Sequence, residues 1–120
     1  MTTTRPTPDH VQPGEITALR TLGTQLMAEA RAANSGRASR TVIALPGLRA
    51  TLLALAAGHE LAEHQAPGAA ILTCVHGQAT LATGEQQWRL HDDDTVAIPD
   101  QRHRLTAETD ALVLLTVRLD

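Results

Sequence analysis

Six histidines (His10, His59, His64, His76, His91 and His103) and one cysteine, Cys74, carry most of the chemistry open to this chain. An imidazole can ligate a metal, move a proton or hydrogen-bond a ligand, and its neighbours decide which. His10 lies among Thr and Pro residues, and His91 opens an acidic turn, so both are expected in solvent. His76 directly precedes Gly77, where a surface position is expected. His59 and His64 are five apart, and on a continuous strand they would face opposite sides unless a bulge or bend intervenes. His64 and His103 remain, in two separate strand–turn contexts, as the pair around which a site could form.

Weaker candidates have simpler explanations. Cys74 sits in the apolar run from Ile71 to Val75, where a buried thiol acts as a small hydrophobe; as a nucleophile it would need a cationic neighbour such as His103. Asp92, Asp93 and Asp94 suggest calcium at first sight, but read better as solvated turn residues that tolerate positive φ. Arg40, Arg49, Arg102 and Arg104 could meet an acidic ligand, and are expected on outer strand faces.

These side chains need a scaffold, and its outline is regular. Pro6, Pro8 and Pro13 among threonines predict a flexible arm over residues 1–14. From Glu15 to about Ala33, Ile16, Leu19, Leu22, Leu26 and Met27 recur at three- and four-residue spacing among good helix formers. Gly36 is placed to take the positive φ that ends a helix, so residues 15–36 form one amphipathic unit. No second helix follows at the spacing a helix-turn-helix requires. Residues 37–120 read as short strands: Thr41–Leu45, Leu48–Ala57, Ala70–His76, Ala79–Ala82, Gln87–Leu90, Thr95–Ile98, Arg104–Ala107 and Ala111–Arg118. Turn residues such as Pro46-Gly47, Pro67-Gly68, Gly77 and Thr109-Asp110 separate them. The fold class is therefore mainly β, an antiparallel barrel or sandwich behind one N-terminal helix. Leu52–Ala57 and Leu112–Val117 are nearly continuous apolar runs, the pattern of strands covered on both faces.

Composition narrows the partners. The 120 residues suit one domain, and a formal net charge of -3 offers no basic field for nucleic acid. Trp88 is the only aromatic residue, which removes the stacking platforms of single-stranded nucleic acid binders. A lone cysteine allows no intramolecular disulfide. The first residues carry no apolar signal region, and the longest apolar run, near Ala50–Ala57, is too short to cross a membrane. A cytoplasmic protein without membrane contact is the expectation.

The stretch from Gly58 to Val117 resembles the cupin superfamily. Its first motif is Gly58-His-Glu-Leu-Ala-Glu-His64, then Gln65 to Ala70, then Ile71 to His76 ending at Gly77. Its second runs from Asp93 to Pro99 and on to His103. Gly36–Thr41, Leu61–Pro67 and Ala111–Val117 are similar to a subgroup of small bacterial single-domain cupins. The resemblance implies an antiparallel β-barrel of the jelly-roll, double-stranded β-helix type, with Leu72 and Cys74 facing the interior.

The resemblance also implies a metal site, normally three histidines and a glutamate holding a divalent ion such as Zn, Fe, Mn or Ni. His64 matches the first histidine and His103 the third. Ala66 stands at the second, and Ala69 or Ala70 at the glutamate. Alanine has no lone pair, so any metal would be held weakly unless Glu60, Glu63 or another chain supplied donors. The functional expectation is a small molecule bound inside the barrel by a pocket of His64, Ala66, Leu72, Cys74 and His103. The alternatives are a metal-dependent enzyme of isomerase or dioxygenase type using His64 and His103, and a non-catalytic structural or interaction module. A homodimer formed by sheet packing is expected.

Overall fold

The computed structural model describes residues 12–64 and 68–119, with the backbone alone at Glu63 and His64. His10 and most of the N-terminal arm lie outside the described residues, as does Ala66. The chain runs α1 (Leu19–Ala32), β1 (Arg37–Leu45), β2 (Leu48–Leu55), β3 (Glu60–His64), β4 (Ala70–His76), β5 (Ala79–Ala82), β6 (Gln87–Leu90), β7 (Thr95–Ala97), β8 (His103–Ala107) and β9 (Ala111–Arg118).

The helix starts later than its apolar spacing predicts. Ala18 occupies the N-cap position with no side-chain cap, and Ile16 stands outside the helix, 96% exposed. Ile16 and Thr17 are β-branched and disfavour the first turn, so the helix begins at the run of unbranched residues. It ends as expected. Ala33 N–H bonds back to Glu29 and Ala30, and Gly36 turns the chain at φ +70°. A Cβ on Gly36 would lie 2.2 Å from the His59 ring, so the position needs glycine for space as well as for φ.

The strands form two antiparallel sheets, β1-β2-β9-β4-β7 and β3-β8-β5-β6. Between them lies the main core, to which β2, β4, β5, β6, β8 and β9 all contribute; Leu55, Leu72, Leu81, Leu105 and Val113 are its larger members. Alternation makes the core legible along β4, where Leu72 and Cys74 point inward and Ile71 outward. In β8, His103, Leu105 and Ala107 are buried.

The doubly apolar strands are covered on both sides. Leu53 and Leu55 of β2 enter the inter-sheet core, while Leu52 and Ala54 meet Leu26 and Ala30 of α1. Leu112 of β9 joins that second cluster. Arg40 extends the same helix–sheet seam, its Nη2 donating to Glu29 Oε2 at 2.9 Å.

One expectation needs correcting. The two sheets share no ladder among the described residues, so the barrel is an open jelly-roll sandwich. β6 and β7, with four and three residues, are too short to carry pairing round the corner. Bulges in β1, β3 and β4 twist the ladders besides. β2 also stops at Leu55 rather than Ala57, because the chain turns there: Ala56 N–H donates to Gly36 O, and Ala57 N–H to Asp110 Oδ1.

Candidate functional site

β8 carries His103 into the sandwich at its first residue, where the side chain is 2% exposed. Nδ1 lies 3.0 Å from Gln101 O. A carbonyl only accepts, so Nδ1 carries the proton in neutral His103 and Nε2 has the lone pair. The register places His64 of β3 directly opposite His103. The bulge makes this possible, since the three residue steps from Leu61 to His64 span the two from Leu105 to His103. His59 takes no part; it precedes β3, exposed, with its ring over Gly36.

His103 lines a cavity of about 20 Å³ whose other walls are aliphatic, Leu53, Leu61, Leu72, Leu81 and Leu105 among them. That volume holds roughly one water molecule. Among the described residues no group of three His, Cys, Asp or Glu could hold a metal. Ala69 and Ala70 commit their carbonyls to the backbone, accepting from Arg118 and Ile98 N–H, and present only methyl groups. Glu60 is exposed. The donors among the described residues alone thus fall short of a tight divalent site.

Leu72 shares the His103 cavity, but Cys74 does not. Its thiol, 3.4 Å from Gly77 O, has its pKa pushed up to about 11, first by burial and then by the Asp92 charge. His103 is not among the groups acting on it, so Cys74 stays a neutral core residue.

The acidic turn works as structure. Asp93 adopts φ +70°, and its N–H donates to Cys74 O at 2.7 Å. Asp94 accepts from His91 N–H at 2.8 Å. Arg49 and Arg102 are exposed, and Arg104 lies between the buried His103 and Leu105 on the outer side of β8.

Polar side chains that sequence reasoning assigned only to turns gather at the opposite end of the sandwich. Asp92 accepts from Gly77 N–H at 2.6 Å and faces His76 Nδ1 at 3.2 Å. Asp110 accepts from Ala57 N–H and from Arg31 Nε, each at 2.9 Å. The Gly77 amide, then His76, hold the Asp92 carboxyl below its ordinary pKa; the Ala57 amide, then Arg31, do so for Asp110. A depressed folded-state pKa stabilises the fold above the unfolded value and loses that contribution as pH falls through the folded one. The urea midpoint is therefore expected to be level down to about pH 4 and to fall below it. A midpoint unchanged down to about pH 2 would contradict these bonds.

The chain has the cupin fold. Its structure superposes on a cupin superfamily protein from Desulfitobacterium hafniense with a TM-score of 0.65 and 18% identity, covering 70% of this chain and 78% of that one. A conserved protein of unknown function from Streptococcus pyogenes matches over 99% of this chain and 98% of its own, with a TM-score of 0.71 and 20% identity. A variant salicylate 1,2-dioxygenase from Pseudoaminobacter salicylatoxidans, in complex with gentisate, reaches 0.70 at 17% identity over 81% of this chain and 32% of its own. No protein-family model and no curated protein matches the sequence. Among the described residues no helix is long and apolar enough to cross a membrane.

Proposed function

We propose that this protein binds a small molecule at the end of the sandwich where β3 meets β8, with His103 as the polar anchor. The observation that carries this reading is a buried histidine that is the single polar residue among the described walls of an aliphatic cavity. Pockets with apolar walls and few polar groups are the usual form of a ligand site. The cavity admits about one water, so the ligand's body lies at the mouth beside His103 and His64 rather than deep in the core. The dioxygenase neighbour, with gentisate bound, supports a small aromatic acid as a first probe.

The same small volume favours a second reading, a filled, non-catalytic interaction module. Self-association belongs to either. Ile43, Leu45, Leu48 and the 48%-exposed Ile71 leave the outer face of the five-stranded sheet apolar beyond α1, a face suited to a second copy in a homodimer.

Thermal shift with gentisate and related small carboxylates tests the ligand reading. A rise in Tm is expected for the wild type and its loss in His103→Leu. No response to any probe would leave the filled module. Near-stoichiometric bound metal that disappears in His64→Ala and His103→Ala would overturn both in favour of a metal-dependent enzyme.

A further inference from the structure

The largest contrast in the molecule is between its nearly closed interior and a groove at the other end. Where α1 crosses the ends of β4 and β9, a cavity of about 350 Å³ opens, more than ten times the volume beside His103. That falls in the range of small-molecule sites. One helix face (Arg20, Gly23, Met27, Arg31) forms one wall, and His76 and Leu112 stand opposite. The groove continues into a wider cleft through His76 and Asp110.

Gly23 shapes this groove. A Cβ there would lie 2.2 Å from Leu112 Cδ2, so the bare backbone lets α1 seat closely on β9. A glycine inside a helix costs about 1 kcal/mol against alanine, which the close approach explains. Met27 and Leu112 then provide an apolar floor.

The charges are unevenly satisfied. Asp110 is held by Ala57 N–H and Arg31, and Asp92 by Gly77 N–H and His76. Arg20 instead donates from Nη2 to a neutral carbonyl, Val75 O, at 3.2 Å; its charge acts on Asp92 only weakly and at longer range, and it forms no ion pair within 4 Å among the described residues. That bond anchors one edge of a guanidinium that has five N–H donors in a planar fork suited to a carboxylate.

We propose that this groove is a second binding site, for a small organic carboxylate. Arg20 takes the carboxylate, and Met27 and Leu112 receive the apolar body. The site lies at the opposite end of the sandwich from His103 and does not depend on the function proposed there.

Amide chemical-shift titration with phenylacetate, and with the neutral phenylacetamide, tests it on the full chain. Phenylacetate is expected to shift the amides of Gly23, Met27 and His76, with Kd rising about tenfold or more in Arg20→Gln, the loss of one charged hydrogen bond. Arg20 is exposed, so this variant folds, and an unchanged amide spectrum away from the groove checks that. Arg20→Lys should recover part of the affinity. Binding unchanged in Arg20→Gln, equal response to phenylacetamide, or no shift at the groove overturns the proposal. Phenylacetate shifts confined to the β3–β8 end would also overturn it while leaving the His103 site intact, whereas groove binding that persists in His103→Leu separates the two.

Discussion

Gly77→Ala is expected to destabilise the protein by about 2–5 kcal/mol, from a positive-φ penalty and an overpacking penalty together. Gly77 adopts φ +92°, where alanine is strained. Its added Cβ would lie 2.2 Å from Asp110 O and 3.0 Å from Ala111 Cα. Those are backbone atoms, and the turn that bears them cannot retreat freely. Gln78 N–H donates to Thr109 Oγ1 at 3.0 Å, and Glu108 N–H donates to Gln78 O at 2.9 Å. Moving Gly77 itself would break its 2.6 Å bond to Asp92. Gly58→Ala is the control, since Gly58 has φ +82° but nothing within 4 Å of the place its added methyl would occupy. Denaturant midpoints at a constant m-value measure both variants. If Gly77→Ala costs no more than Gly58→Ala, the close approach of the two turns is not a constraint.

Leu81→Ala is expected to cost about 3–5 kcal/mol, the range for removing a fully buried leucine where the site cannot collapse. Leu81 is 1% exposed on β5, paired with Trp88 on one side and Leu105 on the other. Neighbours on both strands hold its backbone, so the deleted atoms leave a hole continuous with the cavity beside His103. An enlarged aliphatic hole of this kind takes up a small apolar guest. Benzene should therefore raise the Tm of Leu81→Ala and leave the wild type unmoved. A cost below about 1 kcal/mol would mean that the sheets already relax around space, and the interior could then admit a ligand after all.

The fold could be read in the sequence because its signals are local. Leu72 and Cys74 alternate with Ile71 and Thr73, which is enough to assign faces, and both are buried. Gly36 and Asp93 stand where turns need positive φ, and both adopt it. The runs in β2 and β9 announced cover on both faces, which the second sheet and α1 supply. The late start of the helix was less legible: Ile16 fits the apolar spacing, but spacing does not report the missing cap.

His64 and His103 were singled out by residue type and motif position, and the β3–β8 register set them opposite each other. That register depends on a bulge, a property of two paired strands that neither strand announces alone. The volume beside His103 depends on how leucines from several strands interdigitate, a sum over contacts distant in sequence. The same holds for the groove at the other end. Arg20, His76 and Leu112 are scattered over the chain, and only the packing of α1 across β9 brings them to one cavity. Residue types and periodicity by themselves located eight of the nine strands and their faces but not β3 (Glu60–His64), and motif position added the two histidines of interest. Tertiary structure alone decided that the space beside His103 is small and that the larger space lies elsewhere, because cavity volume is set by long-range packing rather than by any local pattern.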